Sequence, residues 1–204
     1  MPDNGLVMQR NHVPASNKIT IVSGLPRSGT SMLMHVLEAG GMPPLTDWVR
    51  AADADNPKGY YEFERVKRLP QGDVDWLDEA RGRCVKVISA LLTYLPPTDS
   101  YNVIFMHRHI DEVLNSQRKM LVHLGQATND NDQEMTELLQ QHVDSIRSWV
   151  VGQPNFSLFD ADYNGMLASP ANWVARITKF LGADLDAEAM RAAVDATLYR
   201  NRRS

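Results

Sequence analysis

The stretch "IVSGLPRSGTSMLMHVLEAGG", Ile21 to Gly41, constrains what this chain can fold into more than any other segment. A β-branched apolar run meets a loop with two glycines, and Met32, Leu33, Val36 and Leu37 follow at helical spacing. The pattern predicts strand, tight loop and helix in direct succession. Within it, Gly24 to Ser31 spell G-x-x-x-x-G-T-S, which matches the Walker A phosphate loop everywhere except at its lysine, where Thr30 stands. A glycine loop feeding a helix aims backbone N–H groups and the positive end of the helix dipole at an anion. The hydroxyls of Thr30 and Ser31 add donors, so a phosphate fits without the lysine. What is missing is the cation that reaches the β and γ phosphates of ATP. Arg27 supplies a different one, a planar fork suited to the bridging oxygens of a phospho-anhydride-like group.

Further strands are predicted at Ile19 to Ser23, which opens this segment, and at Val85 to Ser89, Val103 to His107 and Phe156 to Phe159. Helical patterns fill the gaps. They run from Ser31 to about Ala39, from near Asp111 past Met120, and along the face formed by Met135, Leu138, Leu139, Ile146, Trp149 and Val150. In "SPANWVARITKFLG", Ser169 reads as an N-cap, Pro170 as the first helical residue and Gly182 as the stop, with a short helix following at about Ala187 to Ala196. Alternating strands and helices predict an α/β P-loop three-layer sandwich, a mostly parallel sheet with helices on both faces. Ligands of such sheets sit beyond the carboxyl ends of the strands, so the residues just after each strand are the functional candidates. With 204 residues and 43% apolar content, the chain is expected to form one domain over residues 18–204, preceded by a flexible arm over residues 1–17. The polar stretch Gly125 to Asp132 and the irregular stretch Thr46 to Gly59 read as loops.

A net charge of −4 argues against a general nucleic-acid or anionic-membrane binder. No run of apolar residues is long enough to span a bilayer, and the first residues lack the order of a secretory signal, so a cytoplasmic protein is expected. The single cysteine, Cys84, lies in the apolar "CVKVIS" and is expected to be a buried strand residue rather than a nucleophile.

A second signal lies further along. The run "NVIFM" leads into His107, Arg108 and His109, and Ser116 falls eight residues after Arg108, about two turns along the next helix. A guanidinium and a hydroxyl so placed could together hold a second, isolated phosphate.

These residues carry a family resemblance. "PRSGTS", followed by a strand, Arg108 and Ser116, resembles the sulfotransferases that use 3′-phosphoadenosine 5′-phosphosulfate (PAPS) as donor. The resemblance implies that Arg27, Ser28, Gly29, Thr30 and Ser31 hold the 5′-phosphosulfate, and that Arg108 and Ser116 hold the 3′-phosphate. "VKVISALLTYLPP" looks like the family's strand-lysine segment, which places Lys86 near the sulfuryl group, and "FDADYNGMLASPANWVARITKFLG" resembles its "Y-E-D-L…P…FLG" segment. The likeness spans about Ile19 to Gly182, and the string "TD…R…NPKGYYE" makes it most similar to bacterial sulfotransferases of unassigned acceptor.

Two departures follow. The aryl and steroid enzymes of that family have a catalytic histidine two residues after the lysine, where this chain has Ile88, and their "RKG" segment is absent unless Arg200, Arg202 or Arg203 substitutes. The general base is therefore expected among carboxylates after the first helix, Asp47 ahead of Glu62, with His107 and His109 as the other candidates. Arg27 and Lys86 are the expected cations at the bridging and sulfonyl oxygens. Trp48, Tyr60 and Tyr61 stand near the proposed base, as pocket or core. No metal-ligand spacing appears, so no metal is expected. The acceptor is expected to be a small-molecule or other hydroxyl or amine. Two rivals stay open, a small-molecule kinase in which Asp160 is the magnesium-linked acid, and a nucleotide-binding module without turnover.

Overall fold

Every residue of β1 (Ile19–Gly24) is buried, because β1 is the middle strand of five. The computed structural model describes residues 18–47, 49, 59–123, 125 and 132–194. The expected N-terminal arm, Trp48, most of the Thr46 to Gly59 and Gly125 to Asp132 loops, and the C-terminal arginines lie outside the described residues. The other strands are β2 (Pro44–Leu45), β3 (Cys84–Lys86), β4 (Tyr101–His107) and β5 (Phe156–Asp162). Their order is β2-β3-β1-β4-β5, and all four pairings are parallel. From β1 the chain passes to β2 at the sheet edge, comes back as β3 beside β1 and crosses to the other side of β1 as β4, so the carboxyl end of β1 is a topological switch point.

Helix α1 (Thr30–Ala39) follows β1, and α2 (Ile110–His123) and α3 (Asp132–Val151) connect β4 to β5. Three more follow β5 among the described residues, α4 (Tyr163–Ala168), α5 (Pro170–Leu181) and α6 (Ala187–Ala193). The sheet is apolar on both faces, as buried parallel strands must be. Ile19, Ile21, Val85, Val103 and Phe105 pack toward Val143, Ile146 and Val150 of α3. Val22, Ile104 and Met106 pack toward Leu33, Leu37, Ile177 and Met190 of α1, α5 and α6. Burying each such side chain contributes about 1.5–3 kcal/mol. Among the described residues, no helix is long and apolar enough to cross a membrane.

Several boundaries differ from expectation. The strand expected over Val85 to Ser89 ends at Lys86; Val87 N–H still reaches Val22 O at 3.0 Å, and at Ser89 the backbone turns into a 3₁₀ segment, Ser89–Tyr94. Two further 3₁₀ segments, Glu64–Gln71 and Asp75–Ala80, fill the long connection before β3. Helix α5 starts and stops where expected, with Gly182 in the left-handed conformation at φ 60°, although Ser169 holds the cap position without a side-chain cap bond. Cys84 is fully buried in β3, and burial pushes its thiol up to about 12.

Of the three buried residues on α2, two are polar, Glu112 and Ser116. Buried polar groups need partners. Theirs lie at the mouth of β1.

Candidate functional site

The glycine loop leaves β1 at Gly24 (φ 147°) and enters α1 through Gly29 (φ 102°). Both positions require glycine. A Cβ at Gly24 would lie 2.6 Å from the carbonyl oxygen of Met106, and one at Gly29 would lie 2.3 Å from a ring carbon of Tyr163. Between them Arg27 also has a positive φ of 71°, a conformation that costs a non-glycine residue about 1–3 kcal/mol. Ser28 is 1% exposed, and its hydroxyl has no partner among the described residues. A buried, unpaired hydroxyl on a loop of this shape fits a ligand oxygen, because leaving it without one costs about 1–3 kcal/mol.

Two motifs far apart in sequence converge here. Arg27 Nε donates to Ser116 Oγ at 2.9 Å, and Arg108 Nη1 donates to the backbone oxygen of Arg27 at 3.3 Å. Arg108 is further held by Glu112, its Nε donating to Oε2 at 2.8 Å, and its guanidinium lies 4.4 Å from the centre of the Tyr163 ring. On the other side of the loop, Lys86 Nζ donates to Ser31 Oγ at 3.2 Å and to the backbone oxygen of Tyr60. Ser31 Oγ in turn donates to that same oxygen at 3.3 Å. The expected cations Arg27, Lys86 and Arg108 are thus each bonded to the loop or to the residues around it.

The two carboxylates expected as bases lie on neighbouring segments. Asp47 N–H donates to the backbone oxygen of Glu62 at 3.4 Å, and Thr46 Oγ1 donates to the same oxygen at 2.7 Å. The Asp47 carboxylate accepts from Val49 N–H at 3.1 Å and from Glu64 N–H at 2.6 Å, so it also caps the Glu64–Gln71 turn. A carboxylate offers about four lone-pair sites, and two backbone donors leave capacity for a further proton. The Glu62 carboxylate lies 3.5 Å from Lys67 Nζ. Between Tyr60 and Glu62, Tyr61 adopts a positive φ of 52°, and its hydroxyl donates to Glu38 Oε2 at 2.5 Å.

His107 is the last residue of β4, and Asp160 lies in β5 two residues before its end. His107 Nε2 and Asp160 Oδ1 are 2.6 Å apart, and Arg147 bonds both Asp160 oxygens, at 2.8 and 2.5 Å. Burial alone would raise the Asp160 carboxyl, but the His107 and Arg147 bonds outweigh it and hold it well below the usual carboxylate range. His107 also packs against the Phe105 ring, the centroids 5.0 Å apart.

Sequence reasoning missed Glu112, Tyr163 and Asn164. Glu112, in the first turn of α2, stands four residues after Arg108, which precedes that helix, and Tyr163 is the first residue after β5. Asn164 Nδ2 donates to Glu112 Oε1 at 3.1 Å.

No protein-family model matches the chain, and no curated protein does either. Solved structures do. The sulfotransferase domain of the Synechococcus PCC 7002 olefin synthase superposes with a TM-score of 0.54 at 17% identity, covering 92% of this chain and 87% of that one. A sulfotransferase of Mycobacterium tuberculosis superposes with a TM-score of 0.56 at 16% identity, over 88% of this chain and 71% of that one. The chain has the α/β fold of bacterial sulfotransferase domains.

Proposed function

We propose that the protein is a PAPS-dependent sulfotransferase that moves a sulfuryl group to a hydroxyl or amine of a small-molecule acceptor. The observation that carries this reading is the convergence of Arg27, Arg108 and Ser116 at a glycine loop that lacks the ATP-binding lysine. The donor supplies an activated sulfur–oxygen bond, and the chain has to bind it, neutralise charge and remove one proton.

The N–H groups and hydroxyls of Ser28, Gly29, Thr30 and Ser31 bind the 5′-phosphosulfate, and the buried Ser28 hydroxyl gains a partner there. Arg108 and Ser116 bind the 3′-phosphate. Arg27 and Lys86 neutralise the bridging and sulfonyl oxygens, where negative charge collects as the bond to the leaving phosphate breaks. Asp47, with Glu62 as its competitor, takes the acceptor proton while the new sulfur–oxygen or sulfur–nitrogen bond forms, and adenosine 3′,5′-bisphosphate departs. No metal takes part in this scheme.

A kinase of the same fold uses a free carboxylate at the end of a strand to hold magnesium. The pairing of Asp160 with His107 and Arg147 supports the sulfotransferase reading over that one. The deciding experiment incubates the protein with radiolabelled PAPS and a library of hydroxyl and amine acceptors in EDTA. Label transferred to an acceptor is the expected result. Transfer from labelled ATP that requires magnesium, with none from PAPS, would overturn the reading.

A further inference from the structure

Helix α2 turns a carboxylate inward. Glu112 is 2% exposed and Arg108 7%, with Nε and Oε2 2.8 Å apart. A buried ion pair adds little net stability over apolar residues of the same volume, so packing does not account for it. Its effect is directional. Glu112 from α2 holds Nε, the Tyr163 ring from α4 lies beneath the guanidinium plane, and the Arg27 carbonyl from the loop accepts from Nη1. Three restraints from three elements fix the pose of one guanidinium. Glu112 is itself fixed, since Asn164 Nδ2 donates to both its oxygens, at 3.1 and 3.4 Å.

Charge alone would make Glu112 a hindrance. A carboxylate in contact with the cation that receives a phosphate lowers the local positive potential. Any benefit must come from geometry.

We propose that Glu112 is the positioning residue of the 3′-phosphate subsite, and that its reach rather than its charge orients Arg108 and creates the preference for ligands bearing a 3′-phosphate. This rests on the donor reading above. Two conservative variants separate reach from charge. Glu112→Asp keeps the charge and withdraws the carboxylate by one methylene. Glu112→Gln keeps the reach and loses the charge; its oxygen still accepts from Arg108, and the Asn164 amide, rotated by half a turn, offers an oxygen to the new NH₂.

Calorimetry in EDTA measures the affinity of each protein for adenosine 3′,5′-bisphosphate and for AMP, and a thermal melt reports folding. The wild type and Glu112→Gln are expected to share the same preference for the bisphosphate within about threefold, while Glu112→Asp loses roughly tenfold or more of it, with AMP affinity and melting temperature near wild type. A Glu112→Asp protein that keeps the wild-type preference overturns the positioning role alone. So does a Glu112→Gln protein that loses as much as Glu112→Asp, or an equal loss for both ligands, which a merely structural role would give. If the wild type itself shows no preference, the donor reading falls and this proposal falls with it.

Discussion

Arg27 Nε donates to the Ser116 hydroxyl at 2.9 Å, across 89 residues of sequence. The bond ties the glycine loop to α2, so the two motifs proposed to bind phosphate form one unit. Arg27→Ala and Ser116→Ala each remove the same contact. Their effects on unfolding free energy are therefore expected to be non-additive by about 0.5–3 kcal/mol. A double-mutant cycle from urea melts measures this, and strictly additive losses would contradict the link.

Gly29 and Gly41 make a matched pair. Both have a positive φ, 102° and 95°, but a Cβ at Gly29 meets the Tyr163 ring while one at Gly41 meets nothing within 4 Å. Gly41→Ala pays only for its backbone conformation, about 1 kcal/mol. Gly29→Ala adds overpacking and is expected to lose roughly 2–4 kcal/mol. Urea melts of both variants check the difference. Equal losses would mean that the Tyr163 contact does not constrain the loop.

The proton acceptor is tested by amide variants. Asp47→Asn is expected to lower turnover by roughly 10²–10⁴ while leaving adenosine 3′,5′-bisphosphate affinity almost unchanged. It also weakens two backbone bonds that Asp47 accepts, so a modest fall in melting temperature accompanies it. Rates with a working acceptor are compared for Asp47→Asn, Glu62→Gln and His107→Asn. If only the histidine variant fails, the carboxylate mechanism is abandoned.

Three buried acids set the response to alkali. An unfolded thiol titrates near ~8.5, whereas burial raises Cys84 to about 12 in the fold. Burial likewise raises the Tyr61 and Tyr101 hydroxyls, Tyr61 with help from Glu38. A folded value above the unfolded one stabilises fully below the unfolded pKa, and the contribution is lost as pH rises toward the folded one. Unfolding free energy is therefore expected to decline from about pH 8.5 upward. At pH 8 a thiol reagent should label Cys84 in urea but not in the native protein. Native labelling as fast as unfolded labelling would contradict this.

The sheet and its glycine loop were legible because β1, β4 and β5 are apolar runs bounded by turn signals, and α1 and α5 carry clean 3.6-residue periodicity. β2 was not, because it is two residues long and begins with Pro44. Glu64–Gln71 contains Pro70 and follows a 3₁₀ turn, whose period the helical pattern does not detect. At the candidate site, Arg108 and Ser116, which the structure brings to the glycine loop, could be singled out from their spacing after β4. The ring of Tyr163 under Arg108 and against Gly29 could not, since it depends on how α4 packs across the sheet end.

The central claim is that two separated phosphates, not a magnesium-bound triphosphate, define the ligand. Isothermal calorimetry in EDTA, comparing adenosine 3′,5′-bisphosphate with AMP, ADP and ATP, tests it most directly. Wild-type protein should bind the bisphosphate most tightly, and Arg108→Ala should lose roughly 1.5–3 kcal/mol of that affinity but almost none of its affinity for AMP. Equal affinity of the wild type for AMP and the bisphosphate, or tighter binding of ATP once magnesium is restored, would contradict the account.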